Sequence, residues 1–85
     1  MATDTFIVRT PKQLASIMRA FRKKAGLSQA QLADRLGVSR QAFSALERDP
    51  ESATFERLMK VWAVLGLEVS LQPAVRETRS QGQEW

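Results

Sequence analysis

The chain contains no cysteine, no histidine and no tyrosine. Without cysteine it can form neither a disulfide nor a thiolate metal site, and without histidine it lacks the commonest general base and metal ligand. It also has no glycine-rich phosphate loop and no clustered carboxylates. Because no catalytic set can be assembled from the remaining residue types, we expect no enzymatic activity, no metal site and no cofactor.

Long apolar runs are also absent. A transmembrane helix needs roughly 20 consecutive apolar residues, and the 85-residue sequence has no such run. Its N-terminus lacks the pattern of a signal peptide. We therefore expect one small cytoplasmic domain that has no membrane partner.

Basic residues outnumber acidic ones by 13 to 9, and the formal net charge is +4. This balance suits a polyanionic partner, because lysine and arginine release condensed counterions when they neutralise phosphates. The densest basic segment contains Lys12, Arg19, Arg22, Lys23 and Lys24. A helix face that is simply exposed to solvent is the competing interpretation of this run of charges.

Apolar residues recur with a helical period in four segments, each preceded by a residue that can cap a helix. The predicted caps are Thr10, Ser28, Ser39 and Thr54, and the predicted stops are Gly26, Gly37, Asp49-Pro50 and Gly66. In the fourth segment one apolar face is predicted to hold Phe55, Leu58, Met59, Trp62 and Leu65. The sequence thus predicts an all-α domain of four helices over residues 11–66, after an N-terminal extension over residues 1–10.

After Gly66 the apolar period changes from about 3.6 to 2. Leu67, Val69 and Leu71 alternate with polar residues as far as Pro73, which predicts a β-strand over residues 67–73. A lone strand leaves its backbone groups unsatisfied. It must pair either with residues 6–8 or with the same strand of a second subunit.

Residues 29–48 carry the most specific pattern. Two short helices that pack almost perpendicular need a small residue at their contact, a glycine in the turn and apolar residues at fixed offsets. Ala33 and Gly37 meet the first two requirements. The apolar positions are filled by Leu32, Leu36, Val38, Phe43 and Leu46. This set predicts that residues 28–48 form a helix-turn-helix unit that reads DNA. A helical hairpin without a DNA role is the less favoured alternative.

These motifs resemble the Xre/Cro family of phage and bacterial repressors. The likeness covers residues 12–66 and rests on Gly26-Leu27-Ser28-Gln29, Leu32-Ala33, Gly37-Val38-Ser39 and Leu46-Glu47. It implies a lambda-repressor-like fold whose third helix enters the major groove of duplex DNA.

The resemblance also implies roles for single residues. Arg40 can pair with guanine and Gln41 with adenine, although a phosphate contact or plain solvation is the alternative for each. Gln29 is expected to contact a phosphate, because the start of a helix favours an anion. The predicted base contacts are Ser39, Arg40, Gln41 and Ser44, the predicted phosphate contacts are Gln29, Arg48, Lys23, Lys24 and Arg19, and the expected structural pair is Arg22 with Glu47.

The start of the first helix and the C-terminal strand are similar to the HipB-type antitoxins. The motif at the helix start is Thr10-Pro11-Lys12-Gln13-Leu14-Ala15, whereas Ser39, Arg40 and Gln41 depart from that type. The resemblance implies a homodimer whose strands pair across the dyad through Leu67, Val69 and Leu71. Such a dimer would repress its own operon at an inverted repeat and restrain a HipA-type serine/threonine kinase toxin.

Two other functions remain open. One is a stand-alone Xre-family repressor without a toxin partner, and the other is a protein-interaction module that no longer reads DNA. Residues 74–85 are polar and without an apolar period, which predicts a disordered tail. Trp85 at its end fits a toxin contact, a protease entry point or a chance ending.

Overall fold

Four α-helices and one 3₁₀ turn form the fold between residues 5 and 74, the part of the chain that the computed structural model describes. The helices are α1 (Pro11–Lys24), α2 (Gln29–Leu36), α3 (Arg40–Arg48) and α4 (Phe55–Leu65), and the 3₁₀ turn Pro50–Ser52 lies between α3 and α4. The four-helix prediction is therefore confirmed. Trp85 and the predicted tail beyond residue 74 lie outside the described residues.

Each α-helix begins at a side-chain cap whose hydroxyl oxygen accepts a hydrogen bond from the backbone N–H three residues later. In α1 and α2 a glutamine completes the motif, because its side-chain oxygen accepts from the backbone N–H of the cap residue. Such a cap stabilises a helix by about 1 kcal/mol. The caps are Thr10, Ser28, Ser39 and Thr54.

The hydrophobic core takes at least one nearly inaccessible side chain from every helix. Met18 of α1, Leu32 of α2, Phe43 of α3 and Val61 of α4 are each at most 1% exposed. Ala33 and Leu46 are buried in the same cluster, and Leu36 and Val38 pack against it. The core residues predicted for the helix-turn-helix unit therefore do form one shared core.

The buried stripe of α4 differs from the predicted one. Leu58, Val61 and Trp62 are buried, whereas Phe55 and Met59 are 59% and 50% exposed. The Phe55 ring instead packs edge-on against Trp62, with ring centroids 5.6 Å apart. The prediction that Phe55 and Met59 face the core is thus wrong for the single chain.

No β-strand occurs between residues 5 and 74. Residues 67–74 follow α4 as irregular chain, and pairing with residues 6–8 is not formed. Phe6 lies instead against Phe21 of α1 in an edge-to-face arrangement. Only the all-α part of the predicted fold is present in the single chain. None of the helices in the described region is long and apolar enough to span a membrane.

Candidate nucleic-acid interface

The α2–turn–α3 unit presents one side of α3 to solvent. Gly37 ends α2 with φ of +74°, a left-handed conformation that glycine adopts without steric cost. The next residue, Val38, donates its backbone N–H back to the Ala33 carbonyl at 3.0 Å. This tight turn places Ser39 at the start of α3, whose opposite side is held in the core by Phe43 and Leu46.

The predicted base contacts share the exposed side of α3. Ser39, Arg40 and Gln41 are exposed in its first turn, and Ser44 lies half-buried one turn later. The Ser39 hydroxyl oxygen accepts from the Ala42 backbone N–H at 3.0 Å, which engages one of its two lone pairs and leaves its O–H able to donate. The structure therefore brings the four residues together on one accessible surface.

The predicted phosphate contacts are spread over three helices. Arg19, Lys23 and Lys24 are exposed on α1, and the ion pairs of the described region involve other residues. Arg48 ends α3 and lies 3.2 Å from the neighbouring Asp49 carboxylate in an exposed pair. Exposed pairs of this kind contribute at most about 1 kcal/mol to stability. Gln29, the fifth residue of the set, begins α2.

Arg22 and Glu47 form a buried, bidentate ion pair between α1 and α3. Arg22 Nε lies 2.7 Å from Glu47 Oε2, and Arg22 Nη2 donates to Glu47 Oε1 at 3.3 Å. The remaining Arg22 nitrogen, Nη1, donates to the Leu27 carbonyl at 2.9 Å. Because the Glu47 side chain is only 1% exposed, its charge depends on these partners rather than on water.

Gln29 joins this pair. Its side-chain Nε2 donates to Glu47 Oε1 at 2.8 Å, so α2 is connected to the same carboxylate as α1. The sequence carries no signal for this bond, because the two residues are 18 positions apart and belong to no shared periodic pattern. One carboxylate therefore connects three helices, and one of the connecting residues is a predicted phosphate contact.

The arrangement defines a helix-turn-helix protein, and comparison with known proteins agrees. A helix-turn-helix family model matches residues 18–72. The chain therefore belongs to the helix-turn-helix family.

Two curated proteins that are similar to this chain are both antitoxins. The chain is 29% identical over 82 residues to the antitoxin HipB of Escherichia coli strain K12, an alignment that covers 92% of this chain and 93% of that protein. It is 28% identical over 64 residues to the antitoxin HipB of Escherichia coli O6:H1, covering 75% and 68% respectively.

Solved structures of complexes that contain HipB are also similar to this chain. The chain resembles a component of a HipA-HipB-O2-O3 complex with a TM-score of 0.76 and 27% identity, covering 84% of this chain and 100% of that one. It resembles a chain of a HipB-O4 20mer complex with a TM-score of 0.75 and 28% identity, again covering 84% and 100%.

The buried ion pair generates a prediction for stability. Arg22→Met should lower the free energy of unfolding by about 3–5 kcal/mol, because Glu47 then stays buried without its counter-charge. The double variant Arg22→Met/Glu47→Leu should be considerably more stable than Arg22→Met, because no buried charge remains. Urea unfolding of wild type, both single variants and the double variant measures this. If the double variant loses the sum of the two single losses, the ion pair is not the source of the effect.

Proposed function

We propose that this protein is a DNA-binding antitoxin of the HipB type. In this function it represses its own operon as a homodimer and binds a HipA-type serine/threonine kinase toxin, and it acts as a regulator rather than an enzyme. The main structural support for DNA binding is the α3 surface, where Arg40 and Gln41 are exposed while Phe43 and Leu46 hold the helix in the core. The similarity to HipB chains in complexes with DNA and with HipA supports the same function.

In the proposed complex the first turn of α3 lies in the major groove. The Arg40 guanidinium has the fork geometry to donate to guanine O6 and N7, and the Gln41 carboxamide can pair with adenine N6 and N7. Ser39 and Ser44 lie on the same side of α3 and contribute shorter polar contacts. Two adjacent long polar side chains of different chemistry give this surface the means to distinguish bases.

The phosphate contacts are proposed to flank this turn. The start of α2, at Gln29, offers backbone amides and the positive end of a helix dipole. Exposed ammonium and guanidinium groups add charge that attracts any duplex, whatever its sequence. The proposed charged contacts are Arg48, Lys23, Lys24 and Arg19.

The homodimer is proposed to form through residues 67–73. Val69 is 48% and Leu71 95% exposed in the single chain, and the backbone of this segment has no strand partner within residues 5–74. Leu67 already packs against the core and donates its N–H to the Trp62 carbonyl at 2.8 Å. Pairing of the following residues with the same segment of a second subunit across the dyad would satisfy their backbone groups and cover Val69 and Leu71. The domain organisation is then an extension (1–10), a DNA-binding domain (11–66), a dimerisation strand (67–73) and a tail (74–85).

The toxin partner separates this function from that of a stand-alone repressor. The HipA-HipB complex among the similar structures favours the antitoxin, and a kinase-like reading frame next to this one would do so independently. Trp85 is proposed as a toxin or protease contact.

Base reading and phosphate binding can be separated by two substitutions. Arg40→Ala should weaken operator binding by about 1–3 kcal/mol and relax the preference at one base pair in each half-site. Lys23→Ala should weaken binding to all duplexes alike and flatten the dependence of affinity on salt concentration. Fluorescence anisotropy with operator, single-base variants and unrelated duplex, each over a salt series, measures both effects.

Each substitution is the control for the other, because both remove one positive charge. A uniform loss of affinity for Arg40→Ala, with sequence preference intact, would place Arg40 among the phosphate contacts. If neither wild type nor variants bind any duplex at low salt, the proposed DNA-binding function is wrong.

Dimerisation through the C-terminal segment makes a further prediction. Val69→Pro should weaken the dimer, because proline removes a backbone donor and is poorly accommodated in a paired strand. Val69→Ile is the matched control and should leave the dimer intact, since it keeps the N–H, the β-branched shape and the apolar surface. Sedimentation equilibrium measures the dissociation constants. A dimer of unchanged strength for Val69→Pro would exclude this segment as the interface.

A further inference from the structure

Residues 5–9 form an N-terminal strap that is held against α1 at two points. The Phe6 ring packs edge-on against Phe21, with ring centroids 5.6 Å apart. Further along the strap, the backbone N–H of Arg9 donates to the Gln13 side-chain oxygen at 2.6 Å. The strap is therefore already positioned on the helices in the single chain.

The middle of the strap has unused binding capacity. Within residues 5–74, no hydrogen bond uses a backbone N–H or C=O of residues 6–8. The side chains of Phe6, Ile7 and Val8 are also 52%, 52% and 43% exposed. A non-helical segment with free backbone groups and exposed apolar side chains offers an edge to which another strand can add.

Residues 67–73, the proposed dimerisation strand, also have an edge to spare. Pairing of this segment with its own copy across the dyad uses one edge of each strand and leaves the other edge exposed. It also gives a sheet of only two strands, which is marginally stable in water. One further strand on each outer edge would stabilise the interface.

The strap and the dimerisation strand match in one antiparallel register. In this register Val8 lies opposite Val69. Two residues further along, Phe6 lies opposite Leu71, so the apolar residues of both segments share one face of the sheet. This is the face on which Phe6 already contacts Phe21, so it is turned toward the helices.

Charge favours the same register. Arg9 comes to lie opposite Glu68, and cross-strand pairs of opposite charge stabilise a sheet. Both residues are exposed, and the ion pairs found within residues 5–74 are formed by other residues. Arg9 and Glu68 are therefore available to each other.

Registers shifted by two residues are less favourable. One of them places Val8 opposite Leu67, whose N–H is already bonded to the Trp62 carbonyl at 2.8 Å. The other places Phe6 opposite Pro73, which has no N–H to donate. Only the register with Arg9 opposite Glu68 avoids both conflicts.

We propose that the strap of each subunit adds to the outer edge of residues 67–73 of the partner subunit, which makes a four-stranded sheet across the dyad. We assign the strand of the second copy because pairing within one chain is not formed between residues 5 and 74. This inference rests on the proposed dimer. It adds an N-terminal contact surface to the C-terminal one.

A disulfide tests the pairing across chains, because the protein has no cysteine of its own. Two variants, Ile7→Cys and Ser70→Cys, are co-expressed with tags of different mass, since these positions lie opposite each other in the proposed register. Mild oxidation should join them into a covalent heterodimer on a non-reducing gel. Absence of this mixed product would overturn the proposal.

Ile7→Cys with Gln72→Cys is the matched control. Gln72 lies on the same side of the strand, but it is diagonal to Ile7 rather than opposite, which places the two Cβ atoms too far apart for a relaxed disulfide. This pair should cross-link roughly tenfold more slowly. Equal rates for the two pairs would contradict the register.

Sedimentation equilibrium of charge variants gives a second test. Arg9→Glu and Glu68→Arg should each weaken the dimer by roughly fivefold, because like charges then lie opposite each other at two symmetric sites. The variant that carries both substitutions should regain the dissociation constant of wild type. If it dimerises no more tightly than the single variants, the two residues are not paired.

Arg35→Glu is the control for net charge. Arg35 is exposed on α2, and its substitution changes the charge of the protein by the same amount as Arg9→Glu. The dimer should keep its wild-type strength in this variant. A fivefold loss would mean that general repulsion between subunits, rather than a pair of residues, explains the result for Arg9→Glu.

The outcomes separate this inference from the proposed dimer. If wild-type protein sediments as a monomer, the proposed dimer itself fails. If Val69→Pro weakens the dimer while the mixed disulfide does not form and the charge exchange does not restore binding, the dimer through residues 67–73 stands and the strap pairing fails. The substituted positions in the strap and the strand are exposed and outside the buried core, so the variants should fold as wild type does.

Discussion

The buried contact between Arg22 and Glu47 is the interaction on which the arrangement of the helices depends. Through it α1, the loop at Leu27 and the end of α3 meet by polar atoms, at distances of 2.7, 2.9 and 3.3 Å. In a chain this short, few apolar side chains are available to orient one helix against another. A bidentate pair of fixed geometry supplies the orientation that apolar contacts, which have no preferred direction, supply poorly.

Around this ion pair, short-range interactions determine where the helices of the helix-turn-helix unit begin and end. Hydroxyl caps start the helices, and a left-handed Gly37 lets α3 leave α2 through a turn of three residues. Phe43 and Leu46 then hold one side of α3 in the core. What remains on the other side is polar, exposed and held on a rigid helix, which is the condition for reading base edges rather than merely attracting phosphates.

The helices could be predicted from the sequence because their limits are set locally. Ser28, Ser39 and Thr54 each act on an N–H three residues away, so no distant residue is needed to place them. The stripe of α4 could not be predicted as securely, because both Phe55–Met59 and Leu58–Val61 spacings fit a helical face. Which stripe is buried depends on how α4 lies across the other helices.

The remaining features depend on contacts far apart in the chain or on a second chain. The bond from Gln29 to Glu47 spans two helices and leaves no periodic pattern. The apolar alternation of residues 67–73 is visible in the sequence, but a strand needs a partner for its backbone. The preferred base sequence also depends on a partner, the DNA itself. The exposed polar surface of α3 therefore indicates that the ligand is duplex DNA, but it does not specify the bases.

In the proposed function, two copies of this helix-turn-helix unit read an inverted repeat. A footprint of the protein on the DNA upstream of its own reading frame tests this function. We expect protection of two half-sites whose centres lie one helical turn apart, roughly 34–36 Å, or a multiple of it. Protection of a single half-site, or no protection at a salt concentration where the protein is folded, would contradict reading by two copies of the unit.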